Sequence, residues 1–207
     1  MTATERHVDL VILLHGVGSR GADVAPIARA WEQRLGGVSV VAPDAPFSHD
    51  GDAARRQWYS VAGVTPQTRA ERIAAASDVF DAVIEAEIAR AGTSATRTVL
   101  AGFSQGGSMA LDAVGRGRDV AGLLAMATRL ATPFGRRLDG LSARVVHGAA
   151  DTVIAIGEAE RTREALTAAG VRVDLVRIPG GGHAIDLATA KAGLAFLKEV
   201  SGRSYAR

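Results

Sequence analysis

Short apolar runs recur along the chain, separated in most cases by segments whose apolar residues keep helical spacing. The runs are VDLVILLHG (8–16), GVSVVAPDAP (37–46), RTVLAGFS (97–104), VAGLLAMA (120–127), ARVVHG (143–148) and VRVDLVRIPGGG (171–182). Runs of this length, apolar on successive residues, read as strands buried on both faces. Between them, a helix is expected from about Asp23, as its N-cap, with Pro26 in its first turn, to about Leu35. A long helix capped by Thr65 or Thr68 ends near Ala91, with Ile73, Ala76, Phe80, Val83, Ile84 and Ile88 at helical spacing. Further helices are expected over 105–116, over 157–170 with Gly170 closing it, and over 184–200. Residues 47–65 are polar and without period, and read as a loop. Strand and helix in alternation predict an α/β fold: a mostly parallel central sheet with helices on both faces. The 207 residues contain no internal repeat or linker, so a single domain over 1–207 is expected. The 127–143 connection is too short for a large lid.

Composition narrows the chemistry. There is no cysteine, which excludes a disulfide framework, a thiolate metal site and a cysteine nucleophile. Formal net charge is only +2 and the arginines are dispersed, so nucleic acid is not an expected partner. No apolar run is long enough for a membrane span. The MTATERHVDL start has no signal-peptide pattern, and a cytoplasmic location is the default. No cofactor or metal site is indicated, and the oligomeric state is left open.

Within AGFSQGG (101–107) lies G-x-S-x-G, with Ser104 where a strand gives way to a helix. That context fits a nucleophile elbow, in which the serine backbone is strained and flanking side chains would collide. A glycine-rich turn with an incidental serine is the bland alternative, and the strand-to-helix position weighs against it. A serine hydroxyl needs a base. Of the five histidines, His183 follows PGGG after the last strand, at the sheet edge where catalytic groups collect in parallel sheets. The acid belongs after the penultimate strand, where VVHGAADTVI (145–154) offers Asp151. Asp174 within a strand reads as solvated, and Asp186 as support for the last helix's N-terminus. His147 reads as structural.

LLHGVG, AGFSQGG, HGAAD and GGHAID stand in the order found in the phospholipase/carboxylesterase family of α/β-hydrolases, and RQWYSVAGVTPQTRAERIAAA (56–76) resembles the segment after the second strand in bacterial members. The resemblance runs from about Leu10 to Leu197. It implies an α/β-hydrolase fold and a serine carboxylesterase acting on small acyl esters, or thioesters, through an acyl-enzyme. Ser104 would be nucleophile, Asp151 acid and His183 base. The resemblance also implies the backbone N–H groups of Val17 and Gln105 as the oxyanion hole, and Trp58 as lining the acyl pocket. Bottom-up, Trp58 and Tyr59 read equally as cover for the core edge. Arg55, Arg56, Arg69 and Arg72 read as a solvated face. Three departures stand out, one being the absence from DTVIAI of a Pro common after the acid-bearing loop. Ser19-Arg20 replaces an acid common after H-G-x-G, and AMATRL (125–130) replaces a more usual Ser-Gly turn.

Two other classes compete. Gly16, Gly18 and Gly21 have the G-x-G-x-x-G spacing of a dinucleotide-binding Rossmann-like module, with Asp44 near the place of a ribose-binding acid. Against it, a helix starting at Asp23 leaves the turn too long for a pyrophosphate. A catalytically silent hydrolase-fold binding protein is the third class.

Overall fold

The computed structural model describes residues 7–202. Strands β1 (Leu10–Leu14), β2 (Ser39–Val41), β5 (Thr98–Phe103), β6 (Gly122–Met126), β7 (Ser142–Gly148) and β8 (Arg172–Ile178) form one six-stranded sheet in the order β2-β1-β5-β6-β7-β8. Every pairing in it is parallel. The helices are α1 (Gly21–Leu35), α2 (Pro66–Arg90), α3 (Gln105–Arg116), α4 (Ile156–Ala168) and α5 (Leu187–Val200).

The apolar runs are explained by burial on both sides. In β1, Leu10, Ile12 and Leu14 enter one core, with Ile73, Phe80 and Ile84 of α2, Met109 of α3 and Leu166 of α4. Val11 and Leu13 enter the other, with Val24, Ala28 and Trp31 of α1 and Phe196 of α5. Side chains that alternate across a strand feed two cores only when both faces are covered. On the second face α1 and α5 approach closely: the Trp31 indole N–H donates to Ala190 C=O at 3.0 Å. Gly193 leaves the room for that ring, since a Cβ there would lie 2.9 Å from it. Among the described residues, no helix is long and apolar enough to cross a membrane.

Two local expectations need correction. Helix α1 begins at Gly21, not near Asp23. Asp23 sits in its first turn, where its carboxylate accepts from the Arg20 N–H and the Ser19 hydroxyl, both at 2.9 Å. A carboxylate serves the exposed amides there from inside the helix as well as from its cap. Residues 47–65 are not a plain loop: β3 (Phe47–His49) and β4 (Asp52–Gln57) form an antiparallel hairpin. Asp50 then gathers the chain that follows, accepting from Ser60 Oγ at 2.8 Å and from Gln57 Nε2 at 2.9 Å. Helix α2 starts as expected, with Thr65 as N-cap accepting from Thr68 N–H and Pro66 in the first turn.

The sheet edges differ in kind. Strand β2 is only three residues long. Strand β8 carries Arg172, Asp174 and Arg177, and Asp174 is held by Arg144 of β7 at 2.9 Å.

Candidate active site

Ser104 stands between the end of β5 and the first residue of α3, with φ 51° and ψ −116°. That is outside the backbone space comfortable for an L-residue, and such strain gathers at functional sites. The flanking glycines are required by close approach. A Cβ on Gly102 would come within 2.5 Å of Gly106 C=O, and one on Gly106 within 2.6 Å of Leu14 C=O. The end of β6 also grips the serine: its N–H donates to Met126 C=O at 2.9 Å, and its C=O accepts from Thr128 Oγ1–H at 2.7 Å.

Asp151 follows β7 and His183 follows β8, and the structure brings both side chains to Ser104. His183 Nε2 lies 3.0 Å from Ser104 Oγ, and its Nδ1 lies 2.7 Å from Asp151 Oδ2. A carboxylate can only accept, so Nδ1 carries the hydrogen and Nε2 is left facing the serine hydroxyl. The Asp151 side chain is fully buried. Its other oxygen accepts from the N–H groups of Val153 and Ile154, each at 2.8 Å. Burial pushes its carboxyl up, but the Ile154 amide, His183 and the Val153 amide together hold it below the ordinary carboxylate value. The backbone of the turn before His183 packs closely on β7, where Gly148 makes room for it: a Cβ on Gly148 would sit 2.3 Å from Gly181 C=O. The Phe103 ring lies beside the imidazole, with centroids 5.0 Å apart.

Of the two other aspartates, Asp186 behaves as read, while Asp174 is exposed but ion-paired. Asp186 caps α5 by accepting from Thr189 N–H, and Asp174 pairs with Arg144 at the sheet edge. His147 is buried. Its Nε2–H donates to Ile154 C=O at 2.8 Å, which braces the loop carrying Asp151.

The loop after β1 is held close to this serine. A Cβ on Gly16 would meet the Phe103 ring at 3.1 Å and Ser104 Cβ at 3.3 Å. Val17 follows it in the turn, and its N–H has no backbone acceptor among the described residues. Gln105 is the first residue of α3, where a helix leaves its N–H without an intrahelical partner. The loop is stitched to the hairpin: Gly18 N–H donates to Arg56 C=O at 2.8 Å and Arg56 N–H to Ser19 C=O at 3.1 Å. Arg55 adds a bond from Nη1 to Gly18 C=O at 2.7 Å. The four arginines read as a solvated face are therefore mostly engaged: Arg56, Arg69 and Arg72 are half-buried, and Arg72 Nη1 donates to Ser60 C=O at 2.8 Å.

Trp58 does not have the surface of a pocket wall. It is 1% exposed, packs edge-on against Phe80 of α2, and donates its indole N–H to His15 C=O at 2.8 Å. It supports the β1 loop from the core, because the ring has no free face for an acyl group. The Gln105 side chain, which the sequence reading passed over, clamps the same segment. It accepts from Trp58 N–H at 2.8 Å and donates to Tyr59 C=O at 2.7 Å. A long amide directly after a buried turn serine was the available signal, since a buried amide must find partners.

The glycine spacing of 16–21 has a different use from phosphate binding. The first amide of α1, Gly21 N–H, donates to Asp44 Oδ1 at 2.7 Å, and Arg20 pairs with the same carboxylate at 3.4 Å. The helix terminus where a pyrophosphate would sit already holds an internal anion. With α1 beginning at Gly21 the turn is not too long for a pyrophosphate; the internal carboxylate on the first helical amide is what stands in its place.

Comparison with known proteins agrees with this fold. A family model described as Phospholipase/Carboxylesterase matches residues 1–201. Esterase YpfH of Escherichia coli (strain K12) is 30% identical over 197 residues, covering 95% of this chain and 84% of the relative. An acyl-protein thioesterase 1 of Neurospora crassa is 29% identical, covering 95% and 89%. The crystal structure of esterase PE8 superposes with a TM-score of 0.84 at 26% identity, covering 97% of this chain and 96% of that one.

Proposed function

Because this chain belongs to the phospholipase/carboxylesterase family of α/β-hydrolases and is a carboxylic ester hydrolase, we propose that it works through an acyl-enzyme on Ser104. The observation that carries this reading is the hydrogen-bonded chain from Ser104 Oγ through His183 to the buried Asp151, ending on a strained serine.

In the proposed reaction Ser104 Oγ attacks the acyl carbonyl carbon while His183 Nε2 takes its proton. Asp151 holds the Nδ1–H tautomer and stabilises the imidazolium. The oxygen of the tetrahedral intermediate is held by the N–H groups of Val17 and Gln105. Fixed donors at the charge-bearing atom are worth about a hundredfold or more in rate each. His183 then gives its proton to the leaving alkoxide or thiolate. Water, deprotonated by the same nitrogen, attacks the acyl carbon, and Ser104 is released as the hydroxyl. Thioesters fit the same steps, because the sulfur leaving group is replaced at the same carbonyl carbon. The substrate class is a small acyl ester or thioester. The relatives named esterase and acyl-protein thioesterase support both arms of that class.

The test is Ser104→Ala on p-nitrophenyl butyrate and on a butyryl thioester, with the acyl-enzyme of the wild type sought by mass spectrometry. Loss of activity by at least about a thousandfold is expected. Near wild-type turnover by Ser104→Ala would overturn the assignment.

A further inference from the structure

We propose that Thr128 is a positioning residue for the oxyanion donor at Gln105, acting through the peptide group that joins Ser104 to Gln105. The inference rests on the oxyanion role of Gln105 N–H proposed above. A peptide group is planar, with the C=O of one residue and the N–H of the next on opposite edges. Whatever fixes the Ser104 C=O therefore fixes the direction of the Gln105 N–H. Two donors fix it. Ser108 N–H, one helical turn on, lies 3.1 Å away, and Thr128 Oγ1–H lies 2.7 Å away. Thr128 is fully buried, so no water competes for that bond.

Ser108 Oγ lies 3.1 Å from Thr128 Oγ1 and donates to Arg129 C=O at 2.9 Å. The Thr128 backbone is presented to the elbow by an unusual turn. Ala127, directly after β6, has φ 44°, a left-handed conformation that favours glycine, and its N–H is tied to Val146 C=O at 2.8 Å. That turn follows Met126, whose C=O takes the Ser104 N–H, and puts Thr128 Oγ1 on the Ser104 C=O. Both peptide groups of the nucleophile are thereby held by one strand end. On the far side, Gly107 makes room for the threonine methyl, since a Cβ there would lie 2.8 Å from it. A donor on the C=O edge also draws electron density toward that oxygen and makes the N–H on the other edge more positive, which strengthens it as a donor to an oxyanion. Thr128 thus orients and polarises the group that meets the developing charge without touching substrate.

The experiment compares Thr128→Ala, which removes the hydroxyl, with Thr128→Ser, which keeps it without the methyl. Hydrolysis of p-nitrophenyl butyrate is measured beside inhibition by an alkyl trifluoromethyl ketone, whose adduct with Ser104 carries the oxyanion. Thr128→Ala is expected to lower kcat about tenfold with KM nearly unchanged and to weaken the ketone by a similar factor, less than the loss of a direct donor. Thr128→Ser is expected to restore both to within about twofold. Wild-type kcat and ketone affinity in Thr128→Ala would overturn the inference whatever the change in thermal stability. So would a Thr128→Ser variant as impaired as Thr128→Ala, which would assign the effect to the methyl. If Thr128→Ala does not fold, Thr128→Val, which keeps the branched shape and removes the hydroxyl donor, is held to the same criteria. Ser104→Ala separates the two levels: an active Ser104→Ala defeats the acyl-enzyme reading, whereas an inactive one beside a fully active Thr128→Ala defeats only the role of Thr128.

Discussion

His15 takes no proton in the proposed reaction, yet its protonation state holds the loop that does the electrostatic work. Its Nδ1–H donates to Gly16 C=O at 2.7 Å, and its Nε2 accepts from Ala45 N–H at 2.9 Å. A second proton on the ring would face the Ala45 N–H and break that bond. Burial lowers the pKa of His15 from its ordinary value, against the Gly16 carbonyl and the charges of Asp44 and Asp23, which pull it back up. Below about pH 6.5 the unfolded chain takes a proton on this residue that the native chain refuses. Stability therefore falls as pH drops from about 6.5 toward the lower native value, and the contribution is intact above that window. The urea midpoint of the wild type is expected to fall between pH 7 and pH 5, and that of His15→Gln to fall less. Parallel losses in the two proteins would place the acid sensitivity elsewhere.

The β5–turn–α3 unit is the element on which the site depends, and its glycines are placed by contact. Gly106→Ala would press a methyl against the C=O groups of Leu14 and His15, at 2.6 and 2.7 Å, and drive the β1 loop from the elbow. A stability loss of about 1–3 kcal/mol is expected from such overpacking, with an activity loss of at least about tenfold in the protein that still folds. Urea unfolding and steady-state rates check the two parts. This element was legible because its constraints are local: an apolar strand, a glycine on either side of one serine, then small residues. The central strands β1, β5, β6 and β7 were legible for the same reason, since two covered faces leave nearly continuous apolar runs, whereas the edge strands β2 and β8 are largely exposed or half-buried. The hairpin was not. Asp52–Gln57 reads DAARRQ and is exposed for most of its length, so no period of two marks it. Its order comes from Arg56 reaching Gly18 and Ser19, and from Asp50 collecting Gln57 and Ser60, and partners that far apart leave no local pattern. Trp58 stayed open between pocket wall and core cover for a related cause: an aromatic in a polar segment fits either until the helix it packs on is known. Thr128 was unreadable as a contributor because its meaning lies in a peptide plane 24 residues away.

At the scale of the whole molecule, Ser104, Asp151 and His183 each follow a strand of one parallel sheet and meet beyond its carboxyl edge, where parallel strands end together. Among the described residues, no large lid crosses that edge. The connection from β6 to β7 contains no helix, and its Phe134 is seated against Gly115 of α3. Turnover of p-nitrophenyl butyrate is therefore expected to rise smoothly through the ester's solubility limit. An upward break in rate at that limit would reveal a closure that opens at an interface. The two ends of the sheet have a separate consequence. A bare sheet edge is a template on which any extended chain, including another copy of this one, can add a strand. Here one edge is three residues long, and the other presents Arg172, Asp174 and Arg177 within seven residues. A strand arriving at β8 would have to bury or match alternating charges, and one arriving at β2 would find little backbone to pair with. The same short and charged edges that look incidental to catalysis are protection against templated aggregation while the chain is being made.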